Sequence, residues 1–313
     1  MKTRIQPVLI LLPLIAFLTS CAMKHYTISE KSAFRATRYD MEKDKEELAL
    51  YPENEKQLWL NIASAIIDSA QKNIITSDSI NITRNFIPVN DSIFLEYFKY
   101  IPEKFDKTIY FFIGNESRQT SYVEYLIQLA IKSKSIVYAL NYRGYGYSNG
   151  IPSFRTQFDD NQKYFNNLEN KNTTGHTIII GYSLGSGFAM DLAASNPCDK
   201  LVLLAPFSDT KDMLKHYKKL FLSGIKAPLR PFISLTAADY LLNISNINKV
   251  ELYKNDLLIM HARDDEELPY KMGVKVFENS VSANKRFVTL KKGGHSAPFE
   301  PENWNRMIRW ILN

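Results

Sequence analysis

Hydrophobic residues follow two different spacings in two parts of this 313-residue chain. Between residues 80 and 113, apolar residues alternate or cluster in short runs, which is typical of β-strands. From residue 114 onward, short apolar runs alternate with longer segments whose apolar positions recur at helical spacing. Strands that alternate with helices predict a mostly parallel sheet with helices on both faces. The pattern therefore predicts an α/β domain over residues 80–313.

Eight strands and at least four helices are expected in this domain. The strands are Ile80–Phe86, Ile93–Ile101, Lys107–Ile113, Ser135–Leu140, Thr177–Ile180, Lys200–Leu204, Leu257–Met260 and Arg286–Leu290. The helices are Tyr122–Ile131, Phe158–Leu168, Gly185–Ala194 and Met272–Asn279. Residues 207–255 break the alternation, and a bare loop of about 50 residues is unusual in a compact domain. We therefore expect an inserted segment there.

The first 20 residues have the pattern of a signal peptide. Lys2 and Arg4 provide a positive start, and Val8–Leu18 is an apolar stretch interrupted by Pro13. A membrane-spanning helix needs roughly 20 apolar residues, so this stretch is too short to be one. Residues 1–20 are therefore interpreted as a signal peptide that is cleaved from the mature chain.

The residues that end this stretch, Leu18-Thr19-Ser20-Cys21, resemble the cleavage box of bacterial lipoproteins. The resemblance implies that Cys21 becomes the first mature residue and carries a lipid that anchors the chain to a membrane. The alternative is a plain secretory signal whose cleavage site happens to include a cysteine. Because Ala22 follows instead of an aspartate, the resemblance implies the outer membrane of the cell envelope if the host is Gram-negative.

Residues 21–79 are interpreted as a tether and an N-terminal helical extension. Residues 22–56 are polar and charged, whereas the apolar residues between Gln57 and Ala70 lie close to helical spacing. We expect the second segment to be an amphipathic helix that packs on the main domain.

Composition and charge exclude several classes of protein. Hydrophobic residues make up 45% of the chain and charged residues 23%, which is typical of a globular protein with a substantial core. The formal net charge is +6 without a dense Lys/Arg tract, so nucleic-acid binding is not expected. The two cysteines, Cys21 and Cys198, are too few for a disulfide scaffold. Neither metal-ligand spacing nor a nucleotide-binding glycine motif is present, so no metal or cofactor is expected.

The strongest chemical signal is the pentapeptide Gly181-Tyr182-Ser183-Leu184-Gly185. It follows the fifth predicted strand and opens the third predicted helix, which is the setting of a nucleophile elbow. Gly181 and Gly185 leave room for a tight turn, and the helix N-terminus favours a developing oxyanion. The motif resembles that of the α/β-hydrolase superfamily and implies that Ser183 is a nucleophile.

A serine hydroxyl needs a general base, and three histidines follow Ser183 in the chain. His216 lies in the expected insertion, and His261 closes a strand, where a structural role is the simpler interpretation. His295 follows the last strand in a glycine-containing loop, the position of the base in this superfamily. His295 is therefore the expected base.

The acid of the superfamily lies between the nucleophile and the base. Here the stretch from His261 to Pro269 resembles the family pattern His-Gly-x-x-Asp followed by an apolar residue and proline. That alignment selects Asp265 to orient the base, with Asp264 as the alternative.

An oxyanion hole requires two backbone N–H groups. One is expected from Leu184, next to the nucleophile, and the other from the loop after the third strand. That loop resembles the His-Gly-Asn loop of the superfamily, with Ile113 in place of the histidine, and implies Asn115 as the second donor.

A further loop, Asn141–Ser153, resembles the Arg-Gly-Tyr-Gly-x-Ser-x-Gly-x-Pro-Ser loop of the membrane-associated acyl-ester branch of the superfamily. Its glycines suit tight turns, and we expect Arg143 to hold neighbouring loops. The resemblance covers residues 80–313. It implies an eight-stranded α/β-hydrolase fold with helices on both faces and a small cap over the site at about residues 207–255.

The expected activity is hydrolysis of a carboxylic ester or thioester through an acyl-enzyme intermediate, on a small-molecule or lipid-like acyl substrate. A serine peptidase or amidase is the alternative within enzymes, since the same residues cleave amides. A catalytically silent envelope lipoprotein that keeps the fold is the alternative outside them, although all three residue types are present.

Overall fold

The computed structural model describes residues 24–39, 73–76, 79–169 and 174–313. Its strands are β1 (Lys24–Ile28), β2 (Asn73–Thr76), β3 (Ile80–Pro88), β4 (Phe94–Pro102), β5 (Lys107–Phe112), β6 (Ser135–Leu140), β7 (Thr177–Tyr182), β8 (Lys200–Leu204), β9 (Ile233–Ala237), β10 (Asp256–Ala262) and β11 (Lys285–Leu290). Its helices are α1 (Val123–Ser133), α2 (Phe154–Glu169), α3 (Gly185–Ser195), α4 (Thr210–Phe221), α5 (Asp239–Leu242), α6 (Asn246–Val250), α7 (Tyr270–Asn279) and α8 (Pro301–Leu312).

Nine of these strands form one sheet in the order β11-β10-β8-β7-β5-β6-β4-β3-β2. The six strands from β11 to β6 in that order run parallel. Strands β4, β3 and β2 each run antiparallel to the preceding neighbour at one edge. The carboxyl ends of the parallel strands therefore meet at one edge of the sheet, where sites of such folds lie.

The centre of the sheet is buried because helices cover both faces. Helices α1 and α8 pack together, whereas α2, α3, α6 and α7 form a second group of successive contacts. All six positions of β6 and of β7 are buried. Burying an Ile or Leu side chain such as Ile179 or Leu201 contributes roughly 1.5–3 kcal/mol, so these continuous apolar runs select the sheet interior.

The predicted α/β architecture is confirmed, and each of the eight predicted strands begins within one residue of its expected start. The strand count is corrected, because β2 adds a ninth strand at the antiparallel edge. Helix α8 was not predicted; it buries Trp304, Met307, Ile308 and Ile311 on one face. Among the described residues, no helix combines the length and the apolar character needed to cross a bilayer.

Residues 207–255, where the insertion is expected, contain a series of short elements, and we call this segment the cap. It holds α4, a 3₁₀ segment at Gly224–Phe232, β9, α5 and α6. Strand β1 pairs in parallel with β9 in register from Lys24 opposite Ile233 to Ile28 opposite Ala237. Residues 24–28, predicted as tether, are thus part of the cap. The predicted signal peptide, Cys21 and the helix expected between Gln57 and Ala70 lie outside the described residues.

The loop that follows β6 acts as scaffold. Arg143 donates from Nε and Nη2 to the two carboxylate oxygens of Asp160 on α2, at 2.5 and 2.7 Å. The fully buried carboxylate of Glu96 accepts from Asn141 Nδ2 at 2.7 Å and from the Tyr147 backbone N–H at 3.0 Å. Burial raises the pKa of Glu96. These bonds fix the loop to helix α2 and to strand β4.

Candidate active site

The backbone turns sharply at Ser183, between the end of β7 and the start of α3. Its φ is +53°, a left-handed conformation that a residue with a side chain adopts at a cost of about 1–3 kcal/mol. The Ser183 N–H donates to the Leu204 carbonyl at 2.9 Å, which fixes the turn to β8. The side chain consequently lies at the carboxyl edge of the sheet.

Two glycines allow this turn. A Cβ on Gly181 would lie 2.4 Å from the Gly185 carbonyl oxygen, and a Cβ on Gly185 would lie 2.2 Å from the Phe112 carbonyl oxygen. Both distances are far below van der Waals contact. The glycines predicted for the elbow are therefore required by the close approach of α3 to β7 and β5.

The structure brings Ser183, His295 and Asp265 together in one chain of hydrogen bonds. The Ser183 Oγ lies 2.8 Å from His295 Nε2, and His295 Nδ1 lies 2.8 Å from Asp265 Oδ2. Ser183 lies in the turn after β7, His295 in the 3₁₀ segment Gly294–Phe299 after β11, and Asp265 in the turn after β10. With the acid on Nδ1, the tautomer with a proton on Nδ1 leaves Nε2 free to accept the hydroxyl proton.

Asp265 is held as a buried carboxylate. Its Oδ1 accepts from the backbone N–H groups of Glu267 at 3.0 Å and Leu268 at 2.9 Å. Burial alone would raise the pKa of Asp265, but hydrogen bonds from His261 and His295 and the backbone donor Leu268 outweigh it and hold that pKa below its ordinary value. The group therefore stays ionised beside the imidazole.

Asp264, the alternative acid, has a different position. Its carboxylate accepts from the backbone N–H groups of Gly293 at 3.2 Å and Gly294 at 3.0 Å. Both glycines have positive φ values, +110° and +60°. Asp264 thus fastens the loop that carries His295 and does not contact the imidazole, so the geometry separates the two neighbouring carboxylates.

His261 contacts Asp265, and the sequence did not indicate this contact. It is fully buried, and its Nε2 lies 2.8 Å from the Leu268 carbonyl oxygen and 3.2 Å from Asp265 Oδ2. On the other side, a Cβ on Gly273 of α7 would lie 2.4 Å from His261 Nδ1. The ring is therefore confined between α7 and the acid. The remaining candidate, His216, lies on α4 with Nε2 2.8 Å from the Glu266 carbonyl oxygen.

The two expected oxyanion donors lie where the elbow meets the loop after β5. A Cβ on Gly185 would also approach the Ile113 carbonyl oxygen to 2.6 Å, which shows how closely the loop abuts the elbow. In the part of the chain that the structure describes, the backbone N–H groups of Leu184 and Asn115 have no hydrogen-bond acceptor. Both donors are available to a ligand.

The side chain of Asn115 is held by the N-terminal segment and by Tyr145. Its Oδ1 accepts from the Arg35 backbone N–H at 2.9 Å and from the Tyr145 hydroxyl at 2.6 Å, and its Nδ2 donates to the Ala33 carbonyl at 3.1 Å. Phe34, between them, is buried against aromatic rings of the domain, 5.0 Å from the centroid of Phe154. Residues 24–39 thus support the loop of Asn115, the second expected oxyanion donor, and the sequence did not reveal this contact.

The arrangement contains the groups that an acyl-transfer reaction would require. A hydroxyl next to an accepting imidazole, an ionised carboxylate behind it and two open N–H groups are the parts such chemistry uses. Across the described ranges, no group of three or more His, Cys, Asp or Glu side chains could hold a metal ion.

A family model described as "Serine aminopeptidase, S33" matches residues 104–257, a span that includes Ser183 and ends before Asp265. The lysophosphatidylserine lipase ABHD12 of Bos taurus is 27% identical over 160 residues, covering 50% of this chain and 40% of that protein. The α/β-hydrolase domain-containing protein WAV2 of Arabidopsis thaliana is 28% identical over 212 residues, covering 64% and 67%. The chain thus spans less than half the length of the lipase relative.

Solved structures with the same architecture include two esterases. The Pyrococcus furiosus esterase Pf2001 has a TM-score of 0.61 at 19% identity and covers 75% of this chain and 90% of its own. Acetyl xylan esterase 1 from Thermoanaerobacterium sp. has a TM-score of 0.57 at 15% identity and covers 85% and 97%. At these identities the likeness concerns the fold alone. Together with the sheet topology, it shows that this chain has the α/β-hydrolase fold.

Proposed function

We propose that this chain is a serine hydrolase that cleaves a carboxylic ester or thioester through an acyl-enzyme intermediate. The observation that carries the proposal is the continuous contact from Asp265 through His295 to the Ser183 hydroxyl, with 2.8 Å at each step. The strained turn under Ser183 supports it, because such strain persists where a hydroxyl must project from the sheet edge.

In the first half-reaction, Ser183 Oγ attacks the acyl carbonyl while His295 Nε2 takes the hydroxyl proton. The carbonyl oxygen becomes an oxyanion held by the N–H groups of Leu184 and Asn115. The carbon–heteroatom bond then breaks, and His295 returns the proton to the leaving alcohol or thiol. Asp265 keeps the ring oriented and stabilises its protonated form.

In the second half-reaction, water takes the place of the leaving group. His295 removes a proton from that water, the hydroxide adds to the acyl-Ser183 carbonyl, and the same N–H groups hold the new oxyanion. Collapse releases the carboxylic acid and returns the proton to Ser183 Oγ. Each step balances without a cofactor.

A serine peptidase or amidase is the second candidate, since the matching family model is described as an aminopeptidase. Relatives named as lipases and structures named as esterases favour ester substrates. The leaving group separates the two, because an amine must be protonated as it departs whereas an alcohol leaves more readily.

A substrate panel tests the choice. We expect p-nitrophenyl esters of increasing chain length, together with a lysophospholipid, to be cleaved at least a hundredfold faster than an aminoacyl p-nitroanilide. The Ser183→Ala variant serves as the matched control and should lose this activity. Faster cleavage of the anilide would establish the amidase, and cleavage of none by folded protein would favour the silent lipoprotein.

We also propose that Cys21 carries a lipid that anchors the mature chain to the bacterial envelope, at the outer membrane if the host is Gram-negative. The support is the sequence Leu18-Thr19-Ser20-Cys21 at the end of the apolar stretch. Mass spectrometry of the mature N-terminus should find an acylated Cys21. A soluble, unmodified N-terminus, or membrane retention unchanged by Cys21→Ser, would contradict the anchor.

A further inference from the structure

An exposed apolar stripe runs along the cap helix α4. Tyr217, Leu220 and Phe221 have 41%, 46% and 69% of their surfaces exposed. Their spacing of three and four residues places them on one face of the helix. Met213 and Leu214 lie on the same face one to two turns earlier, where they contact the core, so this apolar face extends beyond the core toward the C-terminal end of the helix. We call the three exposed side chains the cap face.

The segment that carries the cap face is rich in positive charge. From Met213 to Ala238 the chain has five basic residues and no Asp or Glu. The five are Lys215, Lys218, Lys219, Lys226 and Arg230. The Lys226 ammonium lies 5.0 Å from the centre of the Phe221 ring. Exposed aromatic and aliphatic residues with interspersed lysines are the composition of helices that lie in the surface of an anionic bilayer.

The chain length before β1 leaves little freedom between a lipid on Cys21 and this face. Lys24, where β1 begins, is three positions after Cys21, and three residues span about 10 Å at most. Strand β1 pairs with β9, and β9 packs against α4. A lipid on Cys21 would therefore hold the cap at the membrane surface, whereas a long tether would allow any face to meet it.

The cap face also continues to the candidate active site. Toward the N-terminal end of α4, burial and then the negative charges of Glu267 and Asp265 raise the pKa of Tyr217. The neighbouring His216 contacts the Glu266 carbonyl oxygen on the acid loop. Helix α4 therefore connects Phe221, at the proposed lipid contact, with the turn that carries Asp265.

We propose that the cap face lies on the surface of a bilayer rich in anionic lipid, so that the active site opens toward the membrane. The proposal rests on the proposed lipid anchor at Cys21. It specifies which surface of the molecule meets the bilayer, and it identifies the substrate source as the bilayer itself.

A fluorescent probe on the anchored full chain tests the orientation. A thiol-reactive, environment-sensitive dye is attached to Phe221→Cys in chain purified in lipidated form and inserted into phosphatidylglycerol vesicles. Cys198 is buried and its pKa is raised to about 12, so it leaves the introduced thiol as the reactive one. The matched control is Leu252→Cys, 65% exposed, which precedes β10 at the opposite edge of the sheet.

Lipids that carry a quencher in the bilayer should reduce the Phe221→Cys signal at least threefold more than the Leu252→Cys signal. Equal quenching at the two positions, in chain that floats with the vesicles, would overturn the proposal. A chain that does not float with the vesicles would also overturn it, since no bilayer then lies next to the cap.

Activity provides the second readout and separates this proposal from the proposed hydrolase. Phe221→Asp should lower hydrolysis of an ester embedded in phosphatidylglycerol vesicles about tenfold and leave hydrolysis of soluble p-nitrophenyl acetate within twofold of wild type. Leu252→Asp should leave both rates unchanged. Equal rates of hydrolysis on vesicles for the two variants would contradict the bilayer contact. If the wild-type chain hydrolysed neither substrate, the proposed hydrolase activity would be contradicted instead.

Discussion

At the scale of single residues, local sequence predicted Ser183 and His295 and their contact. Each of the two motifs, the elbow pentapeptide and the glycine loop, restricts one residue to a defined backbone position. The motif therefore indicates both where the residue lies and which role is expected of it. The acidic residue was harder to predict from the sequence, because Asp264 and Asp265 are neighbours. Both carboxylates accept hydrogen bonds in the structure. Their side chains point to different partners, and sequence spacing does not encode that direction.

Substitution of the two aspartates should separate their roles. Asp265→Asn removes the charge that orients the imidazole and should lower kcat by about 10⁴-fold. Asp264→Ala removes two hydrogen bonds to glycine N–H groups and should lower kcat by only about tenfold, through a looser His295 loop. Steady-state kinetics on one p-nitrophenyl ester measures both. A larger loss in Asp264→Ala would reverse the assignment.

The buried carboxylate of Asp265 also predicts a dependence of stability on pH. The pKa of Asp265 is lowered in the folded chain, so its carboxylate stabilises the fold above the unfolded value of about 3.9. That contribution is lost as the pH falls through the folded-state pKa. The difference in free energy of unfolding between wild type and Asp265→Asn should therefore shrink below pH 4, as measured by urea denaturation.

His261 is expected to position Asp265 without touching substrate, and Gly273 offers a way to disturb it from behind. In Gly273→Ala the new methyl meets His261 Nδ1 at 2.4 Å, so the ring must shift toward the acid. A displacement of this size can reduce kcat by on the order of 10- to 100-fold with little change in KM. The control is Glu278→Ala, an exposed change on the same helix. Equal kcat in both variants would indicate that His261 only fills space.

At the scale of elements, the strands buried on both faces were predictable because each is a continuous apolar run. Strand β1 was not, since four of its five residues are exposed and its partner β9 lies about 200 residues away. Helix α8 carried a detectable signal, with apolar residues at 304, 307, 308 and 311 after Pro301. Long-range pairing of polar strands remains invisible to a local pattern.

The N-terminal segment and the oxyanion loop should be coupled through one side chain. Asn115→Ala keeps the backbone N–H but removes the bonds to Ala33, Arg35 and Tyr145. We expect kcat to fall by on the order of 10- to 100-fold, because the donor loses its fixed position. Arg35→Ala is the control, since it keeps the backbone donor and removes only an exposed ion pair with Glu116. Comparable activity in the two variants would argue against the coupling.

At the scale of the whole molecule, the N-terminal segment unites parts that the sequence presented as separate. Residues 24–28 pair with β9 of the cap, and Ala33 and Arg35 hold the loop after β5 through Asn115. A tether would contact neither. The N-terminal segment therefore connects the cap with the carboxyl edge of the sheet.

The most direct measurement of the central claim is covalent modification by a fluorophosphonate, which reacts only with an activated serine. Folded wild-type chain should gain one adduct, and peptide mass spectrometry should locate it on Ser183. Ser183→Ala should gain none, and His295→Ala should react far more slowly. An unmodified wild type, or an adduct that persists in Ser183→Ala, would contradict the account.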